Sequence, residues 1–433
     1  DPVRGLGGLV EQLVAVFQDA GNTRIIFFCL LVGGLIALMQ ASGGVHGFVE
    51  WAQRRGWGTS RRGAELLAWV VGMVVFVESN ITSLTVGAIS RPLFDKLKLP
   101  REKLAYYCDA TSAPVCMSIP LNGWGAYLLG LLAAQGISEG AVSLLAQSLL
   151  FNFYSIGAIV FALVLALTGW GFGSMKRAEM RAAQTGALTR PGSKPLIADE
   201  LAGIEPVPRA PRHVRDLMIP LGVMVAMIFV GLYVTGDGNI MEGSGSKAVL
   251  WAVGSAVIVA IILYVMPRGG RPILTIGDSM DQVLKGSSGL VGVSFLVVLA
   301  FALGRVAREM EMGAYVVGLL DAGGPVWWLP AAVFLIGAFI SFALGSSWTG
   351  FALLLPIALP LAEGAGVPAP LMLGAVLSGG VFGDHASPLS DTSIISSMSA
   401  ACDHVDHVNS QMPYALIVAG GVLLAYVVAG LSM

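Results

Sequence analysis

The stretch GDHASPLSDTSIISS, residues 383–397, sets two carboxylates, a histidine, a proline and a run of hydroxyls inside a chain that is otherwise mostly apolar. Of 433 residues, 55% are hydrophobic and 12% charged, and mean hydropathy is +0.78. Soluble domains carry about 25% charge. Runs at 24–42, 216–236, 247–266, 287–304 and 414–432 are long enough to cross a bilayer, which takes about 20 residues as a helix. The composition predicts an all-α polytopic membrane protein. A net charge of −2 gives no reason to expect nucleic acid as a partner. Cys29, Cys108, Cys116 and Cys402 lie in or beside apolar segments without CxxC spacing, and read as small packing residues. The sequence opens at Asp1 and shows no cleavable signal, so residues upstream of it are expected.

The loops orient the chain. Interval 170–215 is basic and holds prolines at 191, 195, 206, 208 and 211, which predicts a flexible loop on the cytoplasmic side. WAQRRGWGTSRRG (51–63) and SRPLFDKLKLPREK (90–103) are basic as well. If both are cytoplasmic, residues 64–89 enter the membrane and leave on the same side. That describes a re-entrant hairpin turning near ESNITS (78–83), with arms of about a dozen residues, too short to span. The competing reading is one span at 63–81 followed by a surface segment. Segments 104–131, 138–168, 216–236, 247–266 and 287–304 then alternate in direction.

The second half reads as the first half inverted. An offset of 266 lays Leu30 on Leu296, Val32 on Val298, Gly47 on Gly313, Phe76 on Phe342 and Asn80 on Ser346. So few identities carry little weight, but charge carries more. The counterpart of basic 90–103 is PIALPLAEGAGVPA (356–369), with no Lys or Arg, as inversion across a membrane requires. The expected organisation is a first inverted repeat over 24–168, a cytoplasmic loop over 170–215, a connecting helix pair over 216–286 and a second repeat over 287–433. The second hairpin is expected at 326–362, turning near GSSWTG (345–350).

Each hairpin precedes a helix that proline interrupts. CDATSAPVCMSIPLNGWG (108–125) holds Pro114 and Pro120, and the opening stretch holds Pro388. Proline gives no N–H to the carbonyl four residues back, so the carbonyls of Ala110, Cys116 and Asp384 are expected to be free. In lipid a free carbonyl is costly unless bound. Discontinuous helices near the midplane are where inverted-repeat transporters bind their ions, and sodium suits carbonyl, hydroxyl and carboxylate oxygen. Asp384 and Asp391, seven residues apart, would share a face of an unbroken helix. Ser387, Ser390, Thr392 and Ser393 lie near them. An intramembrane carboxylate marks function by default; the competing reading is that both aspartates cap helix starts. The first-half counterparts are Glu78, Ser79, Asn80, Thr82 and Ser83, with Asp109, Thr111 and Ser112. Ser346 stands opposite Asn80. Asp109 reads equally as a site residue or a helix-start residue. Asn122 and Trp124 line a cavity or merely accompany the close contact that Gly123 and Gly125 permit.

In CDHVDHVNSQMPYAL (402–416), Asp403, Asp406 and His407 share one helical face. With His385 and His404 they are pH-sensing or gating candidates, since histidine titrates near neutrality. A hydrogen-bonded cap joining two helices and a transition-metal site remain open.

These residues carry a resemblance. GDHASPLSDTSIISS, with CDHVDHVNSQMPYAL, resembles the signature of the NhaC family of sodium/proton antiporters, whose members read GDHCSPISDTTILSS, then CDHIDHV and QLPYAL. SLTVGAISRPLFDKLKLPREKLAYYCDATSAPVC is similar to the family's first half, and the likeness runs from about residue 24 onward. It implies the inverted-repeat fold with two re-entrant hairpins and two discontinuous helices, a homodimer working as an elevator, and a multi-pass protein of a prokaryotic inner (plasma) membrane acting in pH homeostasis. No cofactor is implied beyond Na+ and H+ as transported ions. Ala386 replaces the family's usual Cys. FVESN replaces a pattern like FIDDY, leaving one carboxylate fewer.

The expected activity is exchange of cytoplasmic sodium for external protons. A buried carboxylate accepts a proton or a cation, not both, so competition at one site gives exchange. Asp384 is the expected exchangeable group, with Asp391 and Glu78 as helpers and sodium held at Asp384, Asp391 and Ser387. The rival is a sodium-coupled exchanger of a small organic acid or amino acid, whose carboxylate would bind hairpin amides. An intramembrane protease fits poorly: HExxH and GxGD are both absent.

Overall fold

A computed structural model describes residues 2–433 apart from 45–46, 48–59, 77, 138–139, 196–206, 208–209, 212, 268–270, 311–317 and 319–324. Most of the basic stretch 51–63, the middle of the 170–215 interval and Gly313 therefore lie outside the described residues. The described elements are helices. Among the described residues, six are long and apolar enough to cross a membrane, or seven if the pair Arg101–Ser118 and Gly123–Ala134, bent by 46°, is one span. Ala20–Ala41, Arg215–Thr235, Gly245–Val265 and His404–Leu431 coincide with runs read from the sequence. The run 287–304 is instead divided at Leu290, between helices Ile276–Gly289 and Val291–Glu309.

Two helical hairpins stand where the sequence placed them. The first is Arg61–Val74 with Ser79–Lys96, and the second is Leu329–Leu344 with Ser347–Ala365. Local chemistry sets their ends. The Glu78 carboxylate accepts the Ile81 amide at 3.0 Å, and Ser346 Oγ accepts that of Thr349 at 3.4 Å. Each satisfies an amide that has no partner within its own helix. Leu329–Leu344 stops at Gly345, whose φ of +63° suits glycine; a Cβ there would also strike the Leu389 backbone. The arms of the first hairpin, 14 and 18 residues, are longer than the dozen expected; those of the second have 16 and 19, and Ser347–Ala365 is long and apolar enough to cross a membrane, unlike the short arms of a re-entrant hairpin.

An interrupted helix follows each hairpin: Arg101–Ala110, Ala113–Ser118 and Gly123–Ala134 in the first half, Ala369–Ala386 and Asp391–Ser399 in the second. The breaks fall at or beside the prolines, because a proline ring excludes the preceding turn. Helix starts recur at one spacing: Ser79 and Ser347, Arg101 and Ala369, Gly123 and Asp391 are each 268 residues apart. The offset of 266 is thus two short, and the counterpart of Ser346 is Glu78, not Asn80. The halves also interlock. Asp391–Ser399 packs on Ser79–Lys96, and Gly123–Ala134 packs on Ser347–Ala365.

The 170–215 interval is not irregular throughout. Residues Gly173–Thr185 form a helix ended by Gly186 at φ +75°. Its run of Ala, Met and Arg favours helix, and the prolines begin only at Pro191.

Candidate functional site

A cavity of about 220 Å³ opens where the two hairpin turns meet the two helix breaks. Glu78, Ser79 and Asn80 come from the first turn, and Gly345, Ser346 and Trp348 from the second. Gly123 and Trp124 come from one break, and Asp384, Asp391 and Thr392 from the other. Phe28, Cys29, Val32 and Tyr127 belong to the remaining, apolar wall. Three carboxylates therefore face one space, and among the described residues no Lys, Arg or His lines it.

Asp384 is buried inside Ala369–Ala386, two residues from that helix's end. Its Oδ2 accepts the Ser347 amide at 3.1 Å and also the Ser347 hydroxyl. Its Oδ1 accepts the Ser390 hydroxyl at 2.6 Å. Ser347 opens the 19-residue inner arm of the second hairpin, so the carboxylate sits at a helix N-terminus, which favours negative charge. The capping alternative is thus resolved in part: Asp384 caps the start of a different helix. Asp391–Ser399 is capped by Ser390, which accepts the Ser393 amide at 3.5 Å and lies 2.9 Å from Thr392 Oγ1. Asp391 is the first residue of that helix, with its side chain open to the cavity. Glu78 both caps its helix and lines the cavity. Asn80 Oδ1, also at the wall, has no hydrogen-bond partner.

Two of the three carbonyls expected to be free, those of Asp384 and Cys116, are taken. Asp384 O accepts the Ser387 amide at 3.0 Å, a bond of 3₁₀ type that replaces the one Pro388 cannot make. Cys116 O accepts Asn122 Nδ2 at 2.9 Å. Ser387 is not among the cavity residues; its hydroxyl donates to Phe342 O at 2.7 Å. Asn122 is a latch rather than a lining residue. Its Nδ2 also donates to Phe76 O at 2.8 Å and Ile119 O at 2.9 Å, and its Oδ1 accepts the Trp124 amide at 2.9 Å.

Asp109 lies outside the cavity lining, buried in a separate polar array. Its Oδ2 accepts Ser393 Oγ at 2.7 Å and Gln411 Nε2 at 2.8 Å. His407 faces this array, and His404 Nε2 contacts Pro388 O at 2.8 Å. His385 Nδ1 meets Tyr154 Oη at 2.8 Å. Asp403 caps His404–Leu431 through the Val405 amide at 3.0 Å and accepts the Lys194 amide at 2.8 Å. Asp406 pairs with Arg190 at 2.9 Å. Of the three residues expected on one face, His407 alone turns into the core. Among the described residues no group of three or more His, Cys, Asp or Glu side chains is placed to hold a metal, so the transition-metal reading gains no support. Ser347 and Gln411 were not singled out from sequence. Ser347 lay inside the expected turn GSSWTG, and Gln411 inside the quoted QMPYAL, but neither reveals its distant partner.

The model of the family described as "Na+/H+ antiporter family" matches residues 123–431. An uncharacterized protein of Haemophilus influenzae is 34% identical over 451 residues, covering 98% of this chain and 82% of that protein. The arginine/ornithine antiporter ArcD of Halobacterium salinarum is 29% identical over 220 residues, 49% of this chain and 41% of that protein. Among solved structures, the YdaH transporter of Alcanivorax borkumensis superposes with a TM-score of 0.60 at 15% identity, over 98% of this chain and 88% of that one; at that identity the likeness is one of fold.

Proposed function

The chain belongs to the Na+/H+ antiporter family, and from that premise we propose that this multi-pass membrane protein exchanges cytoplasmic sodium for external protons, with Asp384 as the exchangeable carboxylate and Asp391 and Glu78 beside it. The observation that supports this most is the cavity wall, which among the described residues holds three carboxylates and no basic side chain. Such a wall draws cations. It is also poorly suited to an organic acid. The Ser347 amide is taken by Asp384 and the Ile81 amide by Glu78, so these hairpin amides are not free to receive a substrate carboxylate. A proton and a sodium ion then compete for the same oxygens, and each crosses only by displacing the other.

A second reading is favoured by size and aromatic lining. A bare ion leaves most of about 220 Å³ unfilled. Phe28, Trp124, Tyr127 and Trp348 are among its lining residues, and aromatic rings attract cations of organic type. The arginine/ornithine antiporter among the relatives suits the same idea: an amino acid with a cationic side chain as cargo.

The test is sodium-driven proton flux in proteoliposomes, wild type against Asp384→Asn, with arginine and malate added in turn. The variant is expected to lose flux. A correctly inserted Asp384→Asn that exchanges at the wild-type rate would refute the assignment. Competition by arginine favours the second reading, and stimulation by malate alone contradicts both.

A further inference from the structure

We propose that His407 and Asp109 form a second proton-holding site, outside the cavity, loaded from the polar surface through His404 and Ser397. The proposal rests on the exchange reading above and names a separate route for its proton.

The count of hydrogens carries it. Gln411 Nε2 faces two acceptors, Asp109 Oδ2 at 2.8 Å and His385 O at 2.5 Å, which fixes the amide's orientation. Gln411 Oε1 is then presented to His407 Nε2 at 2.9 Å, so that nitrogen carries a hydrogen. His404 Nε2 faces the Pro388 carbonyl at 2.8 Å, so it carries one as well, because a carbonyl only accepts. In neutral imidazoles both Nδ1 atoms are then bare. Both point at a single hydroxyl, Ser397 Oγ, which lies 2.8 Å from His407 Nδ1 and 3.0 Å from His404 Nδ1. The Ser393 carbonyl, 2.8 Å from Ser397 Oγ, is a third acceptor, and one hydroxyl hydrogen cannot serve three. With one more proton, on His407 Nδ1, the set closes: that nitrogen faces both Ser397 Oγ and Ser393 O, and the Ser397 hydrogen is left for His404 Nδ1. Passing the proton from His404 to His407 needs the Ser397 hydroxyl to turn from Ser393 O, take a hydrogen on one side and give one up on the other.

The surroundings suit a charge at His407. Asp109 Oδ2 stands 3.8 Å from its Nε2, and Asp109 Oδ1 has no hydrogen-bond partner although the side chain is fully buried. Ser393 O, an acceptor, lies 3.2 Å from His407 Nδ1. The titratable groups facing His407 are Asp109 on Arg101–Ala110, His385 on Ala369–Ala386, which is tied to Tyr154 on Phe153–Thr168, and His404 on its own helix. Helix Asp391–Ser399 adds the hydroxyls of Ser393 and Ser397. That helix is the link to the cavity, for it begins at Asp391 and its Ser393 hydroxyl holds Asp109.

The test uses wild type, His407→Gln, Asp109→Asn and Asp384→Asn in proteoliposomes, with two measurements. One is self-exchange of labelled sodium at equal pH, which moves no net proton. The other is sodium-driven proton flux. His407→Gln and Asp109→Asn are expected to slow proton flux at least roughly tenfold while keeping self-exchange, whereas Asp384→Asn loses both. An Asn at 109 can still accept from Ser393, so the fold is preserved. A His407→Gln that loses both measurements alike, or keeps both, overturns the proposal. If wild type shows no sodium-driven flux, the exchange reading fails on its own. The site is then decided by 15N resonances of the imidazoles at the pH of the flux assay, where a proton shared by His404 and His407 supports it and two neutral rings overturn it.

Discussion

Replacing Gly383 by Ala tests how closely the helix carrying Asp384 lies against the second hairpin. A Cβ at Gly383 would strike Ala338 O, and would stand 2.7 Å from Phe342 N and 2.8 Å from Ser341 Cβ. Gly379, one turn earlier, meets Phe334 O and lies within 3.2 Å of Gly337 Cα by the same measure. Two small residues four apart let helix backbones approach closely. Backbone atoms cannot rotate away as a side chain can, so Gly383→Ala falls toward the upper end of the overpacking cost of about 1–3 kcal/mol. Helix propensity returns roughly 0.5–1 kcal/mol, leaving a net loss of about 2 kcal/mol. Gly222, exposed on Arg215–Thr235, has open space where a Cβ would stand, with nothing within 4 Å. Gly222→Ala keeps only the propensity gain, roughly 0.5–1 kcal/mol. The two variants are thus expected to shift thermal unfolding in detergent in opposite directions. Exchange is expected to fall in Gly383→Ala alone, because the adjacent Asp384 must leave Ser347. A Gly383→Ala protein as stable as Gly222→Ala, with full exchange, would refute the close contact.

Asn122→Ala removes a helix cap, worth about 0.5–2 kcal/mol, together with the side-chain amide's contacts to three carbonyls. It is expected to lower the unfolding temperature more than Gly383→Ala does, a ranking readable in the same scan. Asp403 predicts a pH effect at the polar end of His404–Leu431. Partial burial pushes its carboxyl up, but hydrogen bonds from the Lys194, Asp406 and Val405 amides, with Arg190 nearby, outweigh that and hold it below its ordinary 3.8. A depressed carboxyl stabilises above its unfolded value, and the contribution is lost as pH falls through the folded value. The contact between Asp403 and the Lys194 segment is therefore expected to persist at neutrality and loosen below about pH 4, as limited proteolysis near Lys194 across that range would show; equal cleavage throughout counts against it.

Much of this arrangement was legible in the residues. Basic loops around 64–89 and their absence around 356–369 placed both hairpins, because charge bias is a property of local sequence. Pro114, Pro120 and Pro388 marked the breaks for the same reason. Glu78, Asp384 and Asp391 stood out because carboxylates are costly in apolar runs, and all three reach one cavity. What sequence did not show were the partners. Asp384 bonds Ser347 across 37 positions, and Gln411 bonds Asp109 across 302; such pairings exist only after packing. Ser387 was misplaced because composition reveals a hydroxyl but not the carbonyl that captures it. The helix at 173–185 was missed because the density of prolines after 190 was spread over the whole interval.

The bond from Asp384 to the first residue of the inner arm has one more consequence. A bare carboxylate grips the Ser347 amide, the Ser347 hydroxyl and the Ser390 hydroxyl with full negative charge, and such bonds are about twice as strong as neutral ones. In the exchange proposed above, a proton or cation arriving at Asp384 neutralises that charge and slackens the grip. On that assignment the vacant transporter is the most firmly bolted form, so slippage without cargo is resisted by Asp384 itself.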